Sequence, residues 1–166
     1  MLLGLSNIIR TPDSVLPFET SLDLSDLKFG SSYPVSEPVQ AVGSVRNVAG
    51  VLVLNARIQT TLHGTCDRCA VDFEREVSYD VEAVLTRELE NEDEADEWTF
   101  LLENDHADLD DILTTAFVLN MDSKLLCKDD CKGLCCRCGK NLNEEACTCQ
   151  KELDPRFAAL KQLLDK

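Results

Sequence analysis

The sequence has few aromatic residues and no long hydrophobic run. Aromatic residues make up only 5% of the chain, but 44% of the residues are hydrophobic, which excludes a chain that is disordered throughout. Charged residues, Pro or Gly interrupt each apolar stretch before it reaches the about 18 residues that a membrane-spanning helix needs. In residues 1–14 the apolar residues come before the only basic one, Arg10, which is the wrong order for a secretory signal. We therefore expect a cytoplasmic protein with no membrane contact, whose thiols are kept reduced.

Motifs that mark common active sites are also absent from the sequence. There is no phosphate-binding glycine loop, no nucleophile elbow and no HExxH pair. Asp and Glu are plentiful, but their concentration in one run does not place an acid and a base in fixed positions. We therefore expect that the protein is not an enzyme.

Basic residues are missing from one long acidic stretch. Residues 88–111 contain twelve Asp or Glu and no Lys or Arg, whereas the whole chain has 31 acidic and 16 basic residues. The rest of the chain therefore carries a net charge of only −3 out of the total of −15. This distribution contains no basic stripe of the kind that grips nucleic acid phosphates. Residues 90–98 are expected to form a solvated acidic loop.

The alternation of apolar and polar residues predicts an antiparallel β-sheet. The period of two that is typical of half-buried strands occurs in residues 15–24, 39–45, 51–62 and 73–85. Turn residues at 47–50 join the second and third of these segments in a predicted hairpin. The short connections favour an antiparallel β-meander or a small, partly closed barrel.

Helical spacing of apolar residues appears in two segments. Residues 108–121 have acidic residues in the first turn and an apolar stripe, which predicts a helix packed on the sheet. Near the C-terminus, Asp154 as N-cap and Pro155 at the first helical position predict a short amphipathic helix. The predicted fold is α+β in one compact unit. Its parts are an antiparallel β-rich domain with one helix near its end (1–122), a Cys-rich zinc-binding segment (123–150) and a C-terminal helix (151–166).

Seven of the nine cysteines are concentrated in residues 127–149. An odd total cannot pair completely within the chain, and cytoplasmic thiols stay reduced, so a disulfide framework is the weakest explanation. Two cysteines separated by two residues can present both sulfurs to one tetrahedral zinc ion, and "CCRCGKN" has this arrangement ahead of Gly139. The predicted ligands of a structural zinc ion are Cys135, Cys138, Cys147 and Cys149.

The other cysteines leave the ligand set open. Cys127 and Cys131 lie close enough in sequence to replace either of the later two ligands, or to share two zinc ions with them through bridging thiolates. Cys66 and Cys69 form a second CxxC motif, which either completes a separate site with Cys127 or Cys131, binds the same zinc ion, or stabilises a strand connection without metal. Cys136 is left out of the ligand set, because the cysteines on either side of it, Cys135 and Cys138, fit the zinc-binding CxxC turn (zinc knuckle) better. Metal-free thiols are a further alternative, although so many exposed thiols would be prone to oxidation.

The late part of the chain resembles one known family. The order "LLCKDDCKGLCCRCGKNLNEEACTC" followed by "DPRFAALKQLL", downstream of "CDRC" and of a helix that begins "DLDDIL", is similar to the YceD family, named for large ribosomal RNA subunit accumulation. The resemblance covers about residues 43–164, and it departs from the family pattern at Cys136, where similar sequences commonly have Pro. It implies a role in the accumulation of 23S ribosomal RNA and in assembly of the large subunit. It brings no catalytic residue, and it implies that zinc supports the fold.

Charge refines what the resemblance implies about partners. An acidic protein repels bare RNA and attracts a basic ribosomal protein, which it can shield until delivery to the large subunit. The residues predicted to bind this partner are Glu92, Asp93, Glu94, Asp96 and Glu97. Two alternatives remain: a zinc knuckle that binds ribosomal RNA directly through Lys132, Arg137 and Lys140, and a switch that responds to thiol oxidation or metal.

Overall fold

Five strands form the main sheet of the protein. The structure is a computed structural model that describes residues 1–30, 32–88 and 98–149. In chain order the elements are β1 (Leu2–Gly4), α1 (Ser6–Arg10), β2 (Val15–Leu22), β3 (Val39–Val48), β4 (Val51–Thr65), β5 (Asp72–Thr86), β6 (Thr99–Leu101), β7 (His106–Asp108) and α2 (Leu109–Asn120). The main sheet has the order β2-β3-β4-β5-β6, and β1 pairs with β7 in a separate two-stranded sheet.

The main sheet is an open meander. Strands β2 to β5 pair antiparallel in sequence order, which confirms the predicted meander, and β6 joins β5 in parallel through three residues. The sheet does not close into a barrel, because it ends at β2 and β6, and these two strands do not pair in the described part of the chain. A barrel closes only when its first and last strands pair along their length. The three residues of β6 are too few to cover the eight of β2.

The turn between β3 and β4 is a two-residue hairpin turn that is held by a buried amide. Ala49 and Gly50 both have positive φ angles, 52° and 96°, as a type I′ turn requires. Asn47 is only 1% exposed. Its Nδ2 donates to the carbonyl oxygen of Ile8 at 2.8 Å, and its Oδ1 accepts from the backbone N–H of Gly50 at 2.9 Å. One side chain therefore stabilises the turn and ties α1 to the sheet.

Replacing this amide is expected to cost more than replacing an exposed one. Asn47→Ala removes two hydrogen bonds from a buried site and should lower the free energy of unfolding by about 1–3 kcal/mol. Asn55→Ala, at an exposed position on β4, is the matched control and should change it by less than about 0.5 kcal/mol. Urea unfolding of both variants measures the difference. Equal values for the two variants would contradict a stabilising role for Asn47.

Helix α2 covers the inner face of the sheet, as the predicted helix at 108–121 requires. Asp108 accepts a hydrogen bond from the backbone N–H of Asp110 at 3.1 Å and caps the first turn. The residues of the predicted apolar stripe are buried: Leu109, Ile112, Leu113, Ala116 and Phe117. The Phe117 ring meets the ring of Tyr79 on β5 edge to face, with centroids 5.8 Å apart. The helix is thus fixed over β5, and the chain leaves it close to the hairpin of β4 and β5.

Several elements were not predicted, and several predictions fall outside the described residues. Strands β1, β6 and β7 have three residues each and α1 has five, too few for a periodic signal. Most of the predicted acidic loop and the helix at 151–166 lie outside the described residues, and the division into 1–122, 123–150 and 151–166 stays a prediction. No helix in the described ranges has the length and apolar character to cross a membrane.

Candidate metal centres

Eight of the nine cysteines form two groups of four. The inner cluster consists of Cys66, Cys69, Cys127 and Cys131, and the outer cluster consists of Cys135, Cys138, Cys147 and Cys149. Within each cluster all four sulfur atoms lie within 4.8 Å of one another. All nine cysteines are free thiols in the structure. Each cluster can therefore offer four sulfur ligands to one metal ion.

The connection between β4 and β5 holds the first half of the inner cluster. The backbone N–H of Cys66 donates to the carbonyl oxygen of Val71 at 2.9 Å, and the N–H of Ala70 donates to that of Cys66 at 2.9 Å. Ala70 has a φ of 55°, which lets the chain turn back sharply after Cys69. Cys66 and Cys69 are 2% and 4% exposed. The CxxC motif therefore forms a tight, buried turn at the end of the long hairpin.

Asp67 brings the second half of the inner cluster to this turn. Its carboxylate accepts the backbone N–H of Leu125 at 2.8 Å, and its own N–H donates to the carbonyl oxygen of Leu125 at 2.8 Å. The segment that follows α2 is thereby held against the hairpin. The sulfurs of Cys69 and Cys127 lie 3.7 Å apart, and those of Cys66 and Cys131 lie 3.8 Å apart.

Two arginines strengthen this contact between hairpin and segment. Arg75 lies on the inner side of β5 with 22% of its side chain exposed, and it forms ion pairs with Asp122 at 3.0 Å and Asp129 at 3.3 Å. Arg68, within the CxxC turn, donates to the carbonyl oxygen of Cys131 at 3.0 Å. These contacts thus help to hold the segment that carries Cys127 and Cys131 against the hairpin.

The outer cluster is formed by a local loop. The backbone N–H of Gly139 donates to the carbonyl oxygen of Cys135 at 2.9 Å, and Gly139 has the positive φ of 71° that the predicted turn requires. The sulfur of Cys147 lies 3.4 Å from that of Cys135 and 3.5 Å from that of Cys138. The backbone N–H of Cys149 donates to the Cys147 sulfur at 3.2 Å. This cluster is more exposed than the inner one.

The sulfur spacing fits a tetrahedral ion of the size of zinc. A Zn–S bond of about 2.3 Å places two sulfurs on one tetrahedral ion about 3.8 Å apart. The close sulfur pairs of both clusters are separated by 3.4 to 3.8 Å. Four thiolates are also the donor set that structural zinc sites commonly use. Donor type and spacing therefore both suit this metal.

Each cluster contains thiols with a lowered pKa and thiols with a raised pKa. Burial raises the pKa of Cys66, but backbone N–H groups, first among them that of Cys127, donate to its sulfur and lower the pKa to about 6. Backbone N–H groups of the CxxC turn likewise lower the pKa of Cys135 to about 6. Burial, followed by hydrogen bonds with neighbouring thiols, raises the pKa of Cys127 to about 12, and hydrogen bonds with neighbouring thiols raise that of Cys149 to about 12. A metal ion that binds all four sulfurs must therefore displace protons from each cluster.

The structure brings together the four ligands predicted first, in the outer cluster, but their binding of metal stays a prediction. The inner cluster consists of the four cysteines whose role the sequence left open. The sequence offered this grouping as one alternative, a separate site that Cys66 and Cys69 complete with Cys127 or Cys131, but no signal in the sequence selected it over the others. Cys136 is exposed and belongs to neither cluster.

The other predicted binding residues have different outcomes. Those predicted to bind a basic partner, Glu92, Asp93, Glu94, Asp96 and Glu97, lie outside the described residues. Lys132, Arg137 and Lys140 are exposed in the segment that carries the outer cluster. Lys140 is engaged there by an ion pair with Glu145 at 2.9 Å.

The fold and the clusters define a β-sheet protein with two four-cysteine groups that can hold metal ions. The β4–β5 hairpin and the Cys-rich segment share one group, and the Cys-rich segment alone carries the other. The sequence model of the family described as "Large ribosomal RNA subunit accumulation protein YceD" matches residues 54–164, so the chain belongs to the YceD family. The matched range includes all eight cysteines of the two clusters. Comparisons with curated proteins and with solved structures found no match. The family description suggests a role in accumulation of the RNA of the large ribosomal subunit.

Proposed function

We propose that the protein is a non-enzymatic cytoplasmic factor that supports accumulation of 23S ribosomal RNA and assembly of the large ribosomal subunit. The family match over residues 54–164 carries this proposal, because it covers both cysteine clusters, β5 and α2. A zinc ion held by four thiolates has no open coordination position for a substrate or an activated water. The clusters therefore support a structural role and not a catalytic one.

In this proposal each cluster holds one structural zinc ion. The ion in the inner cluster ties the β4–β5 hairpin to the segment after α2, since two of its ligands come from each. The ion in the outer cluster closes the loop from Cys135 to Cys149. When bound, zinc supplies strong bonds to sulfur and no reaction chemistry.

The partner that fits the charge of the protein is a basic ribosomal protein. On β5, alternate residues face solvent, and five of these carry carboxylates: Asp72, Glu74, Glu76, Asp80 and Glu82. Opposite them on β4 stand Thr65, His63, Thr61, Arg57 and Asn55. Arg57, which pairs with Asp80 at 2.7 Å, is the one Lys or Arg in that row of the described hairpin. The exposed face of this hairpin is therefore negative, as is the predicted partner segment at 92–97.

The negative charge of this surface determines which molecules it attracts and which it repels. A negative face attracts a basic protein over long range and repels the phosphates of bare RNA. The factor would prevent the ribosomal protein from binding RNA non-specifically. It would release the protein to the assembling subunit, where many phosphates compete for the same positive charges.

Removal of the gene from its host tests the function. The ratio of large to small subunit ribosomal RNA should fall, and a plasmid copy of the gene should restore it. Gel quantification of both RNAs and sedimentation of the subunits measure the effect. An unchanged ratio in cells that lack the protein would contradict the proposed function.

A charge variant tests the partner. Glu74→Gln, Glu76→Gln and Glu82→Gln together should weaken binding to a purified basic ribosomal protein of the large subunit by about tenfold, because three exposed charges at about 0.5 kcal/mol each sum to roughly that factor. The control Asp13→Asn, Asp23→Asn and Asp26→Asn changes the net charge equally at exposed positions outside the β4–β5 hairpin. Fluorescence titration at two salt concentrations measures both. Tight, salt-sensitive binding to bare ribosomal RNA with no ribosomal protein bound would overturn the proposal and favour the direct RNA-binding alternative.

A further inference from the structure

The two cysteine clusters are adjacent in the chain and in space. Three residues, Lys132, Gly133 and Leu134, separate the last inner ligand, Cys131, from the first outer ligand, Cys135. The backbone N–H of Leu134 donates to the carbonyl oxygen of Arg68 in the inner CxxC turn at 2.9 Å. The outer cluster therefore begins on a strip of backbone that is already attached to the inner cluster.

The close approach of this backbone segment to the inner CxxC turn depends on Gly133. Its φ is 75°, and a Cβ atom at this position would lie 2.9 Å from the carbonyl oxygen of Arg68. On its other side, the carbonyl oxygen of Gly133 accepts the backbone N–H of Leu142 at 2.9 Å. The same residue thus contacts the inner turn and the loop of the outer cluster.

Asn143 extends from the outer loop to a sulfur of the inner cluster. It lies between the outer ligands Cys138 and Cys147 in sequence, yet its Nδ2 donates to the sulfur of Cys131 at 3.3 Å. Its Oδ1 accepts the backbone N–H of Lys132 at 2.9 Å. Among the cluster contacts in the described residues, this is the one in which a side chain of the outer loop reaches an inner ligand.

The direction of the Asn143 amide is itself fixed by the outer loop. Asn141 Oδ1 accepts both the backbone N–H of Asn143 at 3.1 Å and its Nδ2 at 2.9 Å. The two hydrogens of the Nδ2 group are therefore directed one to Asn141 and one to Cys131. A change in the shape of this loop would move the donor away from the sulfur.

We propose that Asn143 couples the two metal sites, so that zinc in the outer cluster strengthens zinc binding in the inner cluster. This inference rests on the proposed zinc sites. Bonds from one zinc ion to Cys138 and Cys147 hold the ends of the loop together and keep Asn143 against Cys131. An N–H donor to a thiolate ligand stabilises its charge and orients it, and loss of such a contact typically weakens metal binding by about 10- to 100-fold. Because coupling of binding free energies is reciprocal, inner zinc must strengthen outer zinc by the same factor.

The test measures the zinc affinity of each cluster separately. Protein is equilibrated at a series of free zinc concentrations set by a chelator, and accessible thiols are alkylated and located by peptide mass spectrometry. Protection of Cys66, Cys69, Cys127 and Cys131 reports the inner site, and protection of the other four ligands reports the outer site. Asn143→Ala should weaken the inner site by about tenfold.

A second background, in which the outer site is removed, distinguishes coupling between the two sites from a direct effect of Asn143 on zinc binding by Cys131. In Cys138→Ser with Cys149→Ser the outer site cannot fill, so Asn143→Ala should have almost no further effect on the inner site. Asn143→Asp keeps the size of the side chain but removes the donor, and it should weaken the inner site at least as much as Asn143→Ala. Glu145→Ala removes an exposed ion pair with Lys140 in the same loop and is the matched control, which should leave both affinities unchanged. Circular dichroism verifies the fold of each variant.

Each contrary outcome has one meaning. An inner affinity that Asn143→Ala leaves unchanged, or lowers equally in both backgrounds, would overturn the coupling while leaving two zinc sites in place. A protein that binds no zinc in either cluster would instead overturn the proposed sites.

Discussion

Cys66→Ser is expected to release one of two bound zinc ions and to lower the free energy of unfolding by about 4 kcal/mol when free zinc exceeds the dissociation constant about a thousandfold. The physical reason is that, in the proposed site, zinc binds the assembled inner cluster and not the unfolded chain. Cys66 and Cys131 are separated by 65 residues, so this ion also closes a long loop between the hairpin and the segment after α2. Cys66 is 2% exposed, and a serine there would leave a poor ligand in a buried site.

Cys136→Ser is the matched control for this experiment. Cys136 is exposed and belongs to neither cluster, so its replacement should leave two zinc ions per chain and change stability by less than about 0.5 kcal/mol. Elemental mass spectrometry gives the zinc content, and urea unfolding in a zinc buffer gives the stability. If Cys66→Ser kept both the zinc content and the stability of the unmodified protein, the inner cluster would not be a metal site.

Phe117→Ala is expected to lower the free energy of unfolding by about 3–5 kcal/mol. The Phe117 side chain is fully buried between α2 and the sheet and meets Tyr79 edge to face. Its removal takes away apolar contact and leaves a cavity that the sheet cannot fill, because the backbone of β5 is held by its ladder to β4. Phe117→Leu leaves a smaller cavity and should give an intermediate loss.

Val118→Ala tests whether the effect depends on the inner face of the helix. Val118 is the next residue of α2 but is 45% exposed, so its truncation should change stability by less than about 0.5 kcal/mol. Urea unfolding with circular dichroism compares the three variants. Similar losses for Phe117→Ala and Val118→Ala would mean that α2 does not pack on the sheet in the arrangement described.

The elements that were predicted correctly are those whose signal is local. Strands β2, β3, β4 and β5 have 8 to 15 residues each, enough for alternation to be visible, and α2 has 12 residues with an N-cap and an apolar stripe. Strands β1, β6 and β7 depend on partners from distant parts of the chain, and three residues carry no period. Whether the sheet closes depends in the same way on strand pairing far along the chain, which is why the barrel alternative could not be excluded from the sequence.

The sequence alone determined the long strands, helix α2 and the acidic character, and it named the outer cluster as the first choice of ligands, because in each case the pattern lies in residues that are close together in the chain. Only the tertiary structure decided that Cys66 and Cys69 join Cys127 and Cys131, since this depends on how Asp67 and Leu125 pair across 58 residues. It also decided that Asn143 reaches Cys131. Such contacts are set by the packing of separate segments, and the identity of a residue does not specify which distant residue it will meet.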